Sequence, residues 1–99
     1  MKRIDKKIEK LGFQKEKEDK YGVIYVRKCI DYGFTQCVSI LHKHSGNHLI
    51  QSYEMEVNND GYNNCVGINL KEMKLFFKKA KQLKRKYKRK LLQIYITIL

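Results

Sequence analysis

His42, His44 and His48 form an H-x-H-x3-H run. On a strand, His42 and His44 point to the same side. His48 returns on the next strand, so three imidazoles could approach one Zn2+ or Ni2+. The spacing matches no standard zinc signature and brings no fourth ligand. Cys37 and Cys65 would serve only if a sheet placed them near. A catalytic metal also needs a general base, and the nearest acids, Glu54 and Glu56, have no set geometry toward the histidines. The expectation is three polar residues at a turn, with no metal and no cofactor.

Other routes to catalysis lack their residues too. The chain carries no Walker loop, G-x-G-x-x-G, nucleophile elbow or paired-carboxylate signature. Asp60-Gly61, in a polar loop over 58–64, is a turn former without the alternating acids of a calcium loop. Tyr62 in that loop is a candidate aromatic anchor among amide donors. Cys29, Cys37 and Cys65 cannot all pair within one chain and make no C-x-x-C, so reduced thiols are expected. The chain reads as a binder and not an enzyme.

The chemistry left is electrostatic. The 99 residues hold 22 Lys and Arg against 10 Asp and Glu, a net charge of +12. Residues 1–20 carry net +3, residues 21–70 net −1 and residues 71–90 net +10. The candidate nucleic-acid contacts are Lys71, Lys74, Lys78, Lys81, Arg85, Lys88 and Arg89. Glu72 is the only acid among residues 71–90, whereas exposed helices usually alternate signs. A phosphate backbone is the commonest partner of such a face. Lysine meets phosphate as a point charge, so backbone contacts with little sequence preference are expected. Tyr21, Tyr25 and Tyr32 could stack on bases where they face outward, with at least one expected in the core. Against this stands a compositional explanation. Lys, Ile, Tyr and Asn make up 41 of 99 residues, the mark of a low-GC genome, in which lysines accumulate on any solvated face.

These cations need an element to align them. At 100° per residue Met73, Phe76, Phe77, Ala80, Leu83 and Tyr87 share one sector, with Lys84 intruding. Asn69 with Glu72 predicts a capping box at the helix start. Ile4, Ile8 and Leu11 predict a helix over 2–11, closed by Gly12. The polar run 14–20 predicts a loop. Strands are expected over 21–30, with Ile24 and Val26 inward, and over 34–42, with Phe34, Val38 and Ile40 inward. Two more are expected over 48–57, with Leu49, Tyr53, Met55 and Val57 on one face, and over 65–68. The apolar segment 91–99 reads as helix or strand. As a helix it would make the element about 45 Å long, overhanging a domain of about 13 Å radius of gyration. Tyr87, Leu91, Ile94 and Ile98 are then candidate contacts to a second copy.

Two resemblances rest on this order. Helix, three strands, helix, with Lys78-Lys79-Ala80-Lys81 in the last helix, resembles a double-stranded-RNA-binding domain. Here the lysine cluster lies about two turns deeper, and the chain has no Pro. Leu11-Gly12-Phe13 after a charged helix, a Tyr-rich meander and Leu70-Lys71-Glu72-Met73 opening the last helix resemble small uncharacterised phage and prophage proteins of low-GC bacteria. That resemblance spans roughly residues 1–85. It implies an inhibitor of host defence, anti-CRISPR proteins among them.

The expected fold is α+β in two layers, an antiparallel four-stranded β-meander with an N-terminal helix and a long amphipathic C-terminal helix (α-β-β-β-β-α). Residues 1–90 form one domain and 91–99 an apolar tail. No apolar run is long enough for a transmembrane segment or a signal peptide, so a cytoplasmic protein is expected. The expected function is binding of nucleic acid or a nucleoprotein complex through the Lys-rich helix. The alternative is a protein-interaction module that forms a homodimer through its C-terminal helix and tail.

Overall fold

Ile4 and Ile8 recur on one side of helix α1, Lys2–Lys10, and Leu11, just past its end, packs against the same core. The computed structural model describes residues 2–42, 47–55 and 64–98, and the side chains of Lys2 and of residues 88–98 fall outside that description. Gly12 closes α1 at φ +98°, a conformation that side chains with a Cβ rarely adopt. Its N–H donates to the Glu9 carbonyl at 2.9 Å.

Four strands follow: β1 (Gln14–Asp19), β2 (Gly22–Cys29), β3 (Phe34–His42) and β4 (His48–Glu54). They form one sheet in the order β1-β2-β3-β4, and each neighbouring pair is antiparallel. Helix α2, Leu70–Ile98, joins α1 on one face of the sheet. The result is the expected two-layer α+β meander. The core holds Ile8 and Phe13 from the N-terminal segment, Val23, Tyr25, Val38 and Ile40 from the sheet, and Phe76, Ala80, Leu83 and Tyr87 from α2. Phe13 and Phe76 meet edge to face, with ring centroids 5.2 Å apart.

The strand membership differs from expectation at both ends. Residues 14–19 are a strand and not a loop, although all six are polar. Their inward side chains, Lys15 and Glu18, form ion pairs beneath the helices instead of burying apolar surface. At the other end, Cys65 makes only an isolated bridge to Tyr53, and 66–69 are not strand. That segment still lines the β4 edge, where Glu54 N–H donates to Asn64 at 2.7 Å and Val66 N–H to Ser52 at 3.1 Å.

Two strands also take the opposite phase. Val23 and Tyr25 are buried, while Ile24 and Val26 lie on the outer face. Both parities of β2 are apolar, so alternation alone does not choose between them. The β3 register does, by pairing Tyr25 with Val38 and Val23 with Ile40. In β4, Ile50 packs on the core opposite Ile40, and Leu49, Tyr53 and Met55 face away. Val57 and the 58–63 part of the polar loop, Tyr62 included, lie outside the described residues.

Gly22 is required by space. A Cβ there would collide with the Ile40 carbonyl across the β2–β3 pair.

Candidate nucleic-acid interface

The orientation of α2 decides which of its cations are free. The capping box forms as expected: Glu72 N–H donates to Asn69 Oδ1 at 2.8 Å, and Asn69 N–H to Glu72 Oε1 at 3.2 Å. Glu72, Phe76, Lys79, Ala80, Leu83 and Tyr87 face inward and are buried. Met73 and Phe77, expected in the core sector, are 37% and 53% exposed. The helix is thus turned by roughly 40° from the phase of its apolar residues alone.

Two polar networks account for that turn. In the first, Lys79 is 1% exposed and pairs with Glu18 at 2.5 Å and Asp5 at 3.1 Å. Lys86 reaches Glu18 at 3.1 Å, Lys15 reaches Asp5 at 3.2 Å, and the Tyr25 hydroxyl donates to Asp5 at 2.6 Å. Burial alone would raise the Asp5 carboxyl. Hydrogen bonds from Tyr25, Lys79 and Lys15 outweigh it and hold the group below its ordinary 3.8. Glu18 is likewise held below 4.5, burial being outweighed by Lys79 and Lys86. Burial and then the Asp5 charge push the Tyr25 phenol far above its ordinary 10, so it stays a donor.

In the second network Arg27 donates to Glu72 at 2.7 Å, to Gln36 at 2.8 Å and to the Leu11 carbonyl at 3.1 Å. Its guanidinium lies 4.1 Å from the Phe13 ring centroid, and Gln36 passes the network on to Ser52 at 2.8 Å.

The consequence is a sorting of charge. Asp5, Glu18 and Glu72, the acids that touch α2, are bound inward. Lys71, Lys74, Lys78, Lys81, Lys84 and Arg85 are exposed, and among the described residues none of the six forms an ion pair. Lys84, read from sequence as an intruder on the apolar side, belongs to this outward set, whereas Lys79, its neighbour in the Lys78-Lys79-Ala80-Lys81 cluster, is buried. The side chains of Lys88 and Arg89 lie outside the described residues. On α1, Arg3, Lys6, Lys7 and Lys10 are exposed and line one shallow concavity. Counting charge by segment hid them, because Asp5 and Glu18 offset them in the sum yet point inward.

Of the oligomerisation candidates, Tyr87 is buried in the intramolecular core, 6.0 Å from the His42 ring. The side chains of Leu91, Ile94 and Ile98 lie outside the described residues, though the helical backbone runs through Ile98.

Of the three histidines, His42 and His48 pair across β3 and β4 with rings stacked at 4.7 Å. Burial and the nearby Lys84 hold His48 below its ordinary 6.5. His44 lies outside the described residues, and among those described no group of three or more His, Cys, Asp or Glu could hold a metal. Tyr53 sits between Cys37 and Cys65, which puts the backbones of the two cysteines about 10 Å apart, two strand spacings. Cys37 beside the Tyr53 hydroxyl, with burial, pushes that phenol up to about 12. Tyr21 and Tyr32 face solvent, and Tyr25 is the tyrosine that enters the core.

Among the described residues no helix is long and apolar enough to cross a membrane. No protein-family model matches the chain, no curated protein matches it, and no solved structure matches it.

Proposed function

We propose that this protein is a non-enzymatic binder of nucleic acid, free or within a nucleoprotein complex. It engages the sugar-phosphate backbone with the outward face of α2. The observation that carries this reading is the charge sorting: six exposed cations on one helix that form no ion pair among the described residues, while Asp5, Glu18 and Glu72 are engaged inward. Repulsion among cations at i, i+4 costs a few tenths of a kcal/mol per pair, and a bound polyanion relieves it. The set is lysine apart from Arg85, which favours phosphate contact over base-edge readout. Blocking a host defence nucleoprotein is the biological role that the phage-protein resemblance implies for such a surface.

The test is binding of short RNA and DNA across a salt series. Five phosphate contacts give a log–log salt slope of about −4.5 on a duplex. Replacing Lys78, Lys81 and Arg85 by Glu removes binding and leaves the circular dichroism spectrum unchanged. Absence of binding by the unaltered protein at about 50 mM salt overturns the reading.

A second reading draws on the length of α2. The helix continues for about 16 Å beyond Tyr87, and the sequence there is apolar at helical spacing. A homodimer through that extension predicts that deleting residues 91–99 halves the mass measured by light scattering.

A further inference from the structure

Leu70, Met73 and Phe77 fall at i, i+3 and i+7 of α2, and Leu70 is 73% exposed. With the half-exposed Met73 and Phe77 they form a second apolar strip, turned roughly 100° from the buried one. Single exposed apolar residues need no explanation, but three in helical register beside a cationic face form a patch. By helical phase Lys74 and Lys81 border the strip and Lys84 lies within it, and Lys81 Nζ lies 4.8 Å from the Phe77 ring centroid. The pairs Lys74–Lys78 and Lys81–Arg85 are each about 6 Å apart along the axis, a pitch that suits successive phosphates of an extended strand.

We infer that Phe77 is a stacking platform for an unpaired base, so that the nucleic acid taken by α2 is a single strand. The inference rests on the reading of α2 as a nucleic-acid face. In a duplex the bases are stacked on each other, and a helix lying on the backbone meets phosphates only. Phe77 and Met73 then gain no partner. A single strand offers anions and open π-faces together, which matches a ring set among lysines. An anionic lipid surface asks for a different pattern, a broad apolar face with cations on the opposite side. Here three apolar side chains lie among six cations, with Lys84 inside the strip's own phase and Lys81 at its edge.

The chain has no Trp and seven Tyr, so Phe77→Trp places a single indole, excited apart from the tyrosines, at the platform. The probes are an oligo-dT and an oligo-U of about twelve nucleotides, a duplex of equal length, and phosphatidylserine vesicles, all at about 50 mM salt. Stacking predicts quenching of the Phe77→Trp emission by both single strands, which bind more tightly than the duplex. Phe77→Ala weakens single-strand binding about tenfold and leaves duplex binding as it was, while Phe77→Trp retains it. Equal binding of strand and duplex with unchanged emission overturns the inference. So does a blue shift on vesicles without quenching by either strand. If Phe77→Ala binds normally while the triple Glu variant at Lys78, Lys81 and Arg85 does not, base stacking falls and backbone binding stands. If the triple variant binds as well as the unaltered protein, the parent reading falls.

Discussion

Lys79 of α2 and Glu18 of β1 pair at 2.5 Å beneath the helix, with the lysine side chain 1% exposed. A lysine in this position is held by what surrounds it: Asp5 at 3.1 Å on the other side and Gln82 accepting at 3.0 Å. Lys79→Met removes the cation shared by two carboxylates. Breaking a buried pair from one side costs several kcal/mol, but Lys15 and Lys86 remain beside Asp5 and Glu18. The expected loss is about 2–3 kcal/mol. It is read from the urea midpoint at unchanged m-value, and Glu18→Gln in the same chain recovers part of it.

Acid should act through the same carboxylates. Asp5 and Glu18 have folded pKa values below their unfolded ones, so each adds stability above the unfolded value. Stability is therefore level above about pH 5 and falls as pH drops through 4.5 and 3.8 toward the depressed folded values. Lys15 and Lys86 have raised values, Lys15 through Asp5 against burial and Lys86 first through Glu18. Their contribution is complete below 10.5 and is lost at higher pH. Urea midpoints between pH 2.5 and 11 check both limbs, and Glu18→Gln flattens each.

Arg27→Lys keeps the charge but loses the fork. A single ammonium cannot reach Glu72, Gln36 and the Leu11 carbonyl together, nor lie flat on Phe13. The expected cost is about 1–3 kcal/mol, with buried Gln36 losing a donor. Thermal unfolding of this variant beside Gln36→Leu measures how far the two are coupled.

Neutralising the outward face should have the opposite sign for stability. Lys74→Gln, Lys78→Gln and Lys81→Gln together relieve like-charge contacts, so the unfolding midpoint stays level or rises slightly. The same variant lowers the magnitude of the duplex salt slope by about 3. A salt series of fluorescence anisotropy titrations reads both affinity and slope.

The order of elements was legible because α1 and α2 carry their own punctuation: Gly12 at the end of one, and Asn69 with Glu72 at the start of the other. What sequence periodicity misplaced were residues whose partners are remote in the chain. Lys79 falls outside the apolar sector on a helical wheel, at its flank, and Asp5 and Glu18, far away in sequence, draw it in. Turning α2 toward them exposes Phe77 and Met73 and moves Lys84 outward. In β2 and β4 both parities carry apolar side chains, so inside and outside were set by the neighbouring strand. At the histidine run, the meander pairs His42 with His48, as the hairpin reading required.

Strand β1 owes its membership to a dislocation. Lys15 pairs with Tyr25 but Lys17 pairs with Ile24, so Glu16 is an extra residue in the ladder. In a regular strand Lys15 and Glu18, three apart, would point to opposite faces. The bulge resets the parity and brings both under the helices, where they meet Asp5 and Lys79. Glu16 thus works as a spacer in this cluster: its peptide sets the parity, while its side chain forms none of the cluster's ion pairs. Glu16→Ala leaves the hub whole, whereas deleting Glu16 turns one of its members toward water.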